Sequence, residues 1–353
     1  MRARVDGAAV AIVGTLIIWK GSGILERASQ RLAEYYRLPE IVKGAVVVAV
    51  GSSFPELTTT VLSAALHGAF ELGVAAIVGS ALFNILAIPA LSGLAGGGLK
   101  SSRDLVYKES QFYMIAVAVL LLAFCFAVIY HPQGESGALQ GEMTRPLALI
   151  PLLLYLLYIF VQYQDAVDAR TEEVPHDIRP LVEWGLLGLS LLLIVVGVEA
   201  LVRAAINFGE IFGTPDFIWG FTVVAAGTSL PDAFVSIRAA RAGQAVTSLS
   251  NVLGSNIFDL LVCIPAGVLI AGSAPIDFAV AAPLMAVLTV ATIALFLTMR
   301  TDMRPSWGMR FSAMSSLAMT LTREISRGAS WRGGFYTSRS TPMYASPMPS
   351  ERA

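Results

Sequence analysis

Apolar runs separated by short polar connections fill almost the whole chain. Runs of roughly 20 apolar residues, long enough to cross a hydrocarbon layer about 30 Å thick as helices, recur near 7–25, 39–66, 70–94, 111–130, 146–163, 181–205, 215–239, 246–271 and 278–299. The pattern predicts an all-α polytopic membrane protein. One run is polar at its centre. Residues 45–60 read AVVVAVGSSFPELTTT, which puts Gly51, Ser52, Ser53, Pro55 and Glu56 where a spanning helix is ordinarily apolar.

Composition agrees with this reading. The 353 residues are 56% hydrophobic and 14% charged, with mean hydropathy +0.70, whereas soluble domains carry about 25% charged residues. A pair of soluble domains is thereby disfavoured. The N-terminal MRARVDG leads into a span without an A-x-A-like end, so no cleavable signal peptide is expected. Cys125 and Cys263 fall in apolar spans without CxxC spacing and read as packing residues. His67, His131 and His176 stand singly in loops or at span ends and read as solvated side chains rather than metal ligands. The net charge of −1 says little about partners.

Positive charge is distributed unevenly among the connections. Arg27, Arg31 and Arg37 follow the first span, Lys100, Arg103 and Lys108 the third, Arg170 and Arg179 the fifth, Arg238 and Arg241 the seventh, and Arg300, Arg304 and Arg310 the ninth. The alternate connections, 67–71, 131–145, 206–216 and 272–277, hold Arg145 alone. The positive-inside rule places those four outside together with the N-terminus. Arg2 and Arg4 run against the bias.

The chain also repeats itself. Shifted by 176 residues, IVKGAVVVAVGSSFPE (41–56) falls on FIWGFTVVAAGTSLPD (217–232), pairing Gly44 with Gly220, Ala49 with Ala225, Gly51 with Gly227, Ser53 with Ser229, Pro55 with Pro231 and Glu56 with Asp232. The same shift lays Gly21, Leu25, Arg27 and Ala28 on Gly197, Leu201, Arg203 and Ala204. A shift of 175 lays GSALFN (79–84) on GSNIFD (254–259). Three matches in order at nearly one offset indicate internal duplication. A unit of five spans is odd, so the second copy enters the membrane from the opposite face. Inverted repeats with interrupted helices are a common transporter design, with the site near the midplane. The expected organisation is a first repeat at 1–165, a linker at 166–180 on the positively charged side, a second repeat at 181–304, and an atypical tail at 305–353 rich in Ser, Arg, Gly and Met.

Pro55 and Pro231 are expected to interrupt their helices, with Gly51 and Gly227 letting the backbone bend. An interruption frees carbonyls such as those of Ala49 and Ala225, which must then face a protein or water cavity. A free carbonyl beside hydroxyls and a carboxylate makes a hard-cation site. Ser52, Ser53, Thr228 and Ser229 supply the hydroxyls. Small residues also serve close helix packing, so the hydroxyls alone do not mark a site. Glu56 and Asp232 do, because an intramembrane acid is expensive. Asn84 lies 28 residues after Glu56 and Asp259 lies 27 after Asp232, one helix out and one back, so Glu56, Asn84, Asp232 and Asp259 can meet. A helix-to-helix hydrogen bond is the alternative for Asn84. Gly79 and Gly254 allow close approach, and Ser80 and Ser255 add hydroxyls. Glu199 pairs with Arg203 one turn on, while Glu71, Glu135 and Glu142 read as solvated. Three acids in one cavity need cations, protons or both. Three monovalent cations neutralise them, whereas one divalent cation leaves a negative charge that a proton on Asp259 would remove.

At these residues the chain resembles the cation/calcium exchanger superfamily, and most closely its sodium/calcium exchanger branch. That family carries G-(T/S)-S-x-P-(E/D) and G-S-N-x-(F/L)-(N/D) motifs in two α-repeats, matched here by GSSFPE with GSALFN and by GTSLPD with GSNIFD. The resemblance covers residues 7–300. It implies ten helices, an outer N-terminus, an integral multi-pass protein of the cell membrane, and exchange of sodium for calcium by alternating access at Glu56, Asn84, Asp232 and Asp259. It also implies flanking sodium sites from the carbonyls of Ala49 and Ala225 with Ser53, Ser80, Ser229 and Ser255, beside the hydroxyls of Ser52 and Thr228. No cofactor, nucleic acid or protein partner is implied. The transported calcium and sodium ions and membrane lipid are the partners, and the chain is not expected to be an enzyme.

Three positions depart from the pattern. Ala81 replaces the motif asparagine of the first repeat, which loosens the helix break expected there. Asp232 stands where many sodium/calcium exchangers have glutamate and, with Asp259, resembles the potassium-dependent branch. The tail has only a weak apolar patch near 311–321 where a tenth helix should follow. The alternatives are a potassium-dependent or a proton-coupled calcium exchanger on the same fold. The G-N-x-x-E motifs of the proton-coupled branch are missing, as is the G-x-G-D signature of an intramembrane aspartyl protease.

Overall fold

The computed structural model describes residues 2–36, 49–99, 101–102, 105–133, 139–167 and 178–300. Residues 39–48 of the second expected span, most of the 166–180 linker and the tail from 305 lie outside the described residues.

The described residues are almost entirely helical. Helix α1 (Arg2–Tyr35) is followed by α2 (Ala49–Ser52), α3 (Phe54–Ala65) and α4 (Phe70–Ala95). A π-helical turn at Leu105–Glu109 opens α5 (Ser110–Tyr130), and strand β1 (Gln140–Thr144) precedes α6 (Arg145–Val167). The second half runs through α7 (Pro180–Phe212), α8 (Asp216–Trp219), a π turn at Gly220–Val224 and α9 (Ala225–Arg241). It continues with α10 (Ala245–Phe258), a π turn at Asp259–Cys263, α11 (Ile264–Ala271), β2 (Ser273–Asp277) and α12 (Phe278–Arg300). Among the described residues, eight helical spans are long and apolar enough to cross a membrane.

Burial orders these spans into a centre and a periphery. In α4 and in the α10–α11 span 78% of the apolar window is buried, against 33% in α1 and α7. The motif-bearing helices form the centre: α4 packs on α3, α9 and α10, and α3 packs on α11. The peripheral pair α1 and α7 lie along each other. Their contact is close because both carry glycine there: a Cβ on Gly14 would stand 2.8 Å from the Gly197 carbonyl oxygen, and one on Gly197 would stand 2.9 Å from that of Gly14. Small residues of this kind let membrane helices approach where no hydrophobic force drives them together. Arg31 of α1 pairs with Glu183 of α7 at 3.0 Å near one end of the contact.

The connections at 131–145 and 272–277 are ordered rather than irregular. Strands β1 and β2 pair antiparallel, with Gln140 opposite Asp277 and Thr144 opposite Ser273. Arg145 Nε donates to the Leu269 carbonyl at 3.0 Å beside them. These two connections therefore share one face, as the charge pattern requires. Arg27, Arg238 and Arg241 gather around a common cavity elsewhere in the fold.

The expected helix breaks are only partly present. In the first repeat Ser53 separates α2 from α3, and Pro55 sits in the first turn of α3, where no donor is needed. In the second repeat Pro231 lies inside the continuous helix α9. The irregularity there is the π turn at Gly220–Val224, one element earlier, where a widened turn takes up the extra residue. The Ala225 carbonyl is accordingly not free, since it accepts from Thr228 Oγ1 at 3.3 Å. Around the second motifs α4 runs unbroken through Ala81 and Asn84, while the other copy has its π turn at Asp259–Cys263.

Candidate functional site

Two acids lie on helices that meet at the centre. Glu56 is in the first turn of α3, just past the break at Ser53, and Asp232 follows Pro231 in α9. Asn84 is near the middle of α4, and Asp259 starts the π turn after α10. Glu56 is 1% exposed and the other three are 0% exposed.

Hydroxyls from both repeats surround the acids. Glu56 Oε1 accepts from Ser80 Oγ at 3.2 Å and Ser229 Oγ at 3.4 Å, and those two hydroxyls are 2.5 Å apart. Asp232 Oδ1 accepts from Ser255 Oγ at 3.2 Å, and Ser255 meets Ser52 at 3.2 Å. Asn84 Nδ2 donates to Asp232 Oδ2 at 3.4 Å. Thr228 lies beside Glu56 and Ser53 beside Asp259. The partners cross between repeats: Ser229 of the second serves Glu56 of the first, and Ser52 of the first reaches the Asp232 group. Ala49 begins α2 and Ala225 begins α9. The expected site residues lie on the central helices, on the short α2, at the Ser53 break and at the start of the π turn after α10.

Four of the oxygens in this layer are unsatisfied. Among the described residues Glu56 Oε2, Asn84 Oδ1, Asp259 Oδ2 and Ser53 Oγ have no hydrogen-bond partner. Leaving such a group buried and unpaired costs about 1–3 kcal/mol, more when it is charged, so the arrangement is poor as structure and suited to a ligand that is all acceptor-seeking: a cation. No three acids, histidines or cysteines among the described residues converge closely enough to form a ready-made metal cluster. The donor set is mixed, with the amide and hydroxyls lying between the carboxylates.

Close approach of the backbones makes this possible. A Cβ on Gly79 would stand 2.4 Å from the Phe221 carbonyl oxygen, and one on Gly220 would stand 2.5 Å from that of Leu72. Glycine at both positions brings α4 against the π turn before α9. Two cavities approach the layer. One, of about 1180 Å³, is lined by four bases, Lys20, Arg27, Arg238 and Arg241, against two acids, Glu26 and Glu109, and reaches Asn251, which neighbours Asp232. The other, of about 880 Å³, is lined by Glu71, Glu210, Asp216 and Asp277 and reaches Val78. Neither has any of the four central residues in its wall.

Several side chains outside the expected set take part. Asn256 bonds to Asn84, Ala81 and Tyr113. Cys263 does more than pack, since its Sγ lies 3.7 Å from Asp259 Oδ1 as a donor. Its spacing of four residues from Asp259 was the available signal. His67 is not freely solvated: it is half-buried and its Nε2 meets Glu199 Oε2 at 3.1 Å. Glu199 also accepts from Arg203 Nε at 2.5 Å, as the spacing predicts.

Comparison with known proteins follows the same lines. A family model described as sodium/calcium exchanger protein matches residues 7–164 and 182–322. An uncharacterised membrane protein of Methanocaldococcus jannaschii is 29% identical over 320 residues, covering 90% of this chain and 98% of the relative. The sodium/calcium exchanger MaX1 of Methanosarcina acetivorans is 27% identical over 281 residues, covering 71% of this chain and 79% of the relative. A solved structure of the sodium-calcium exchanger NCX_Mj is alike in fold, with a TM-score of 0.61 over 90% of this chain and 98% of that one at 24% identity.

Proposed function

The chain belongs to the sodium/calcium exchanger protein family, and from that membership we propose that it is a secondary active antiporter, moving calcium against sodium across the cell membrane by alternating access. The observation that carries this reading is the buried layer in which Glu56 Oε2, Asn84 Oδ1 and Asp259 Oδ2 lack partners beside Asp232. Calcium takes 6–8 oxygen ligands. On this reading carboxylates of Glu56 and Asp232 carry the charge that holds it, and Asn84 and Asp259 complete the set. Ser52, Ser53, Ser80, Thr228, Ser229 and Ser255, with the carbonyls of Ala49 and Ala225, serve the smaller charge of sodium on either flank. The Ala225 carbonyl needs the Thr228 hydroxyl to turn away for that purpose.

Transport then needs no covalent chemistry. The protein supplies a dry layer that neither cavity reaches, and ions enter it when one wall or the other opens. Occupancy by cations removes the repulsion among the three acids, so the loaded layer closes more readily than the empty one. Two inverted units, 1–165 and 181–304, supply one acid-bearing motif pair each. The basic cavity faces the cytoplasm and the acidic one, with β1, β2 and the N-terminus, faces outward, where its negative rim attracts cations.

The test is calcium uptake into proteoliposomes under an imposed sodium gradient, with potassium and proton gradients imposed separately. Uptake driven by sodium alone, and lost in Glu56→Gln and Asp232→Asn, is expected. Uptake indifferent to sodium, or near-normal uptake in both variants, overturns the reading.

A further inference from the structure

We propose that Asn256 is a positioning residue that fixes which way the Asn84 amide faces, and so presents an oxygen rather than an N–H group to the cation. The proposal rests on the antiport reading above. It starts from the Ala81 carbonyl, which can only accept. Asn256 Nδ2 donates to it at 3.0 Å and to the Tyr113 hydroxyl at 3.1 Å. With its nitrogen held there, Asn256 must turn its Oδ1 toward the neighbouring amide, where it accepts from Asn84 Nδ2 at 3.0 Å. The other Asn84 N–H goes to Asp232 Oδ2 at 3.4 Å. Both donors of Asn84 are then engaged, and its Oδ1 is the atom left without a partner.

A flipped Asn84 would set its oxygen against the Asn256 oxygen and the Asp232 carboxylate. It would also offer N–H groups to a positive ion. Asn84, Asn256, Asp232, Ala81 and Tyr113 are all fully buried, so no solvent relieves that mismatch.

The same logic accounts for the asymmetry between the repeats. At the 175-residue shift, position 81 corresponds to 256 and position 84 to 259. Asn256 of the second repeat orients residue 84 of the first. By symmetry, residue 81 would orient residue 259. Residue 259 is an aspartate, whose carboxylate presents oxygen whichever way it turns, so it needs no orienting neighbour, and position 81 is alanine.

The experiment is a double-mutant cycle on calcium binding to the detergent-solubilised full chain, with thermal unfolding in the absence of calcium as a second readout. Asn256→Ala should weaken calcium binding roughly tenfold, at the low end of what partners of metal ligands contribute, and should lower the unfolding temperature in both backgrounds, because it leaves the buried Tyr113 hydroxyl and a buried side chain at position 84 without that partner. In an Asn84→Asp background, where no orientation is needed, the same substitution should change affinity less than about twofold, a coupling that independent sites do not show. Equal losses in both backgrounds overturn the proposal. If Asn256→Ala does not fold, Asn256→Leu, which keeps volume and removes both bonds, is read in the same way. A parent that binds calcium but shows no sodium-driven flux refutes the antiport reading and leaves the cycle to decide the role of Asn256. A parent that binds no calcium refutes both.

Discussion

Replacing Glu56 with Gln keeps the shape of the side chain and removes one negative charge from a fully enclosed layer. The bonds from Ser80 and Ser229 to Oε1 survive if the amide oxygen takes that place. The unpartnered Oε2 position then becomes an N–H group. For a divalent cation this converts an attractive contact into a repulsive one. Removing one member of a buried charge pair costs about 3–5 kcal/mol, and about 1.4 kcal/mol is tenfold in affinity, so calcium binding should weaken by at least about a hundredfold. The ion-free protein should respond in the opposite sense. A buried carboxylate oxygen without a partner is unfavourable by about 1–3 kcal/mol, and a neutral amide lessens that burden. The two effects separate in thermal unfolding followed by tryptophan fluorescence. At a hundred times its own dissociation constant, calcium should stabilise the parent by about 2.7 kcal/mol, whereas at that same concentration a hundredfold weaker variant gains about 0.4 kcal/mol. Without calcium the variant should unfold at the parent's temperature or above it. A variant stabilised by calcium as strongly as the parent refutes the role of Glu56 in holding the ion. A variant that is already less stable without calcium shows instead that Glu56 is a structural residue.

Exchange of three Na⁺ for one Ca²⁺ without a counter-moving proton carries net charge, so calcium flux at a clamped potential should depend on voltage, and Asp259→Asn should weaken sodium dependence more than calcium binding. Voltage-independent flux, or equal loss of both ions, rules out that scheme. Membrane-impermeant thiol reagents should label a cysteine at position 142, within β1 opposite Pro275, from outside, and one at position 244, on the wall of the basic cavity, from the cytoplasm. Labelling of the two from the same side contradicts the assigned topology. Gly14→Val should destabilise the fold by about 1–3 kcal/mol through overpacking, because its Cβ alone would stand 2.8 Å from the Gly197 carbonyl oxygen. Unchanged unfolding would show that α1 and α7 are not closely packed there.

Hydropathy and the doubled motif make much of this architecture legible from residues alone. Spans of 20 apolar residues need no tertiary context to be recognised, and the repeats place Glu56, Asn84, Asp232 and Asp259 on helices that the structure packs together. Local geometry is harder to read. Pro55 and Pro231 occupy matching motif positions, yet one sits in the first turn of a new helix and the other inside a continuous one. Proline dictates a missing donor, but whether the chain breaks or widens a turn upstream depends on what packs against it, here Gly220 against the Leu72 carbonyl. The β1–β2 pair escaped notice because five-residue strands in polar connections have no periodicity strong enough to stand out. Asn256 was visible as a motif letter, but its function depends on a partner 172 residues away. His67 likewise meets Glu199 across 132 residues.

The two polar departures from repeat symmetry in the second motif, at 81/256 and 84/259, belong to one electrostatic problem. With aspartate in both copies the layer would hold four acids, two from each repeat. With asparagine at position 84 it holds three, a charge that three monovalent ions balance and one divalent ion does not. The choice of an amide therefore bears on how many ions exchange. It also introduces a requirement that a carboxylate never has, since an amide has one end that attracts a cation and one that repels it. Asn256, anchored by a carbonyl that can only accept, meets that requirement from the opposite repeat. On this argument, charge count and amide orientation are linked properties. A chain of this fold that carried a carboxylate at position 84 would lose the need for an asparagine at 256, and one that carried an amide at 259 would need an orienting group at 81.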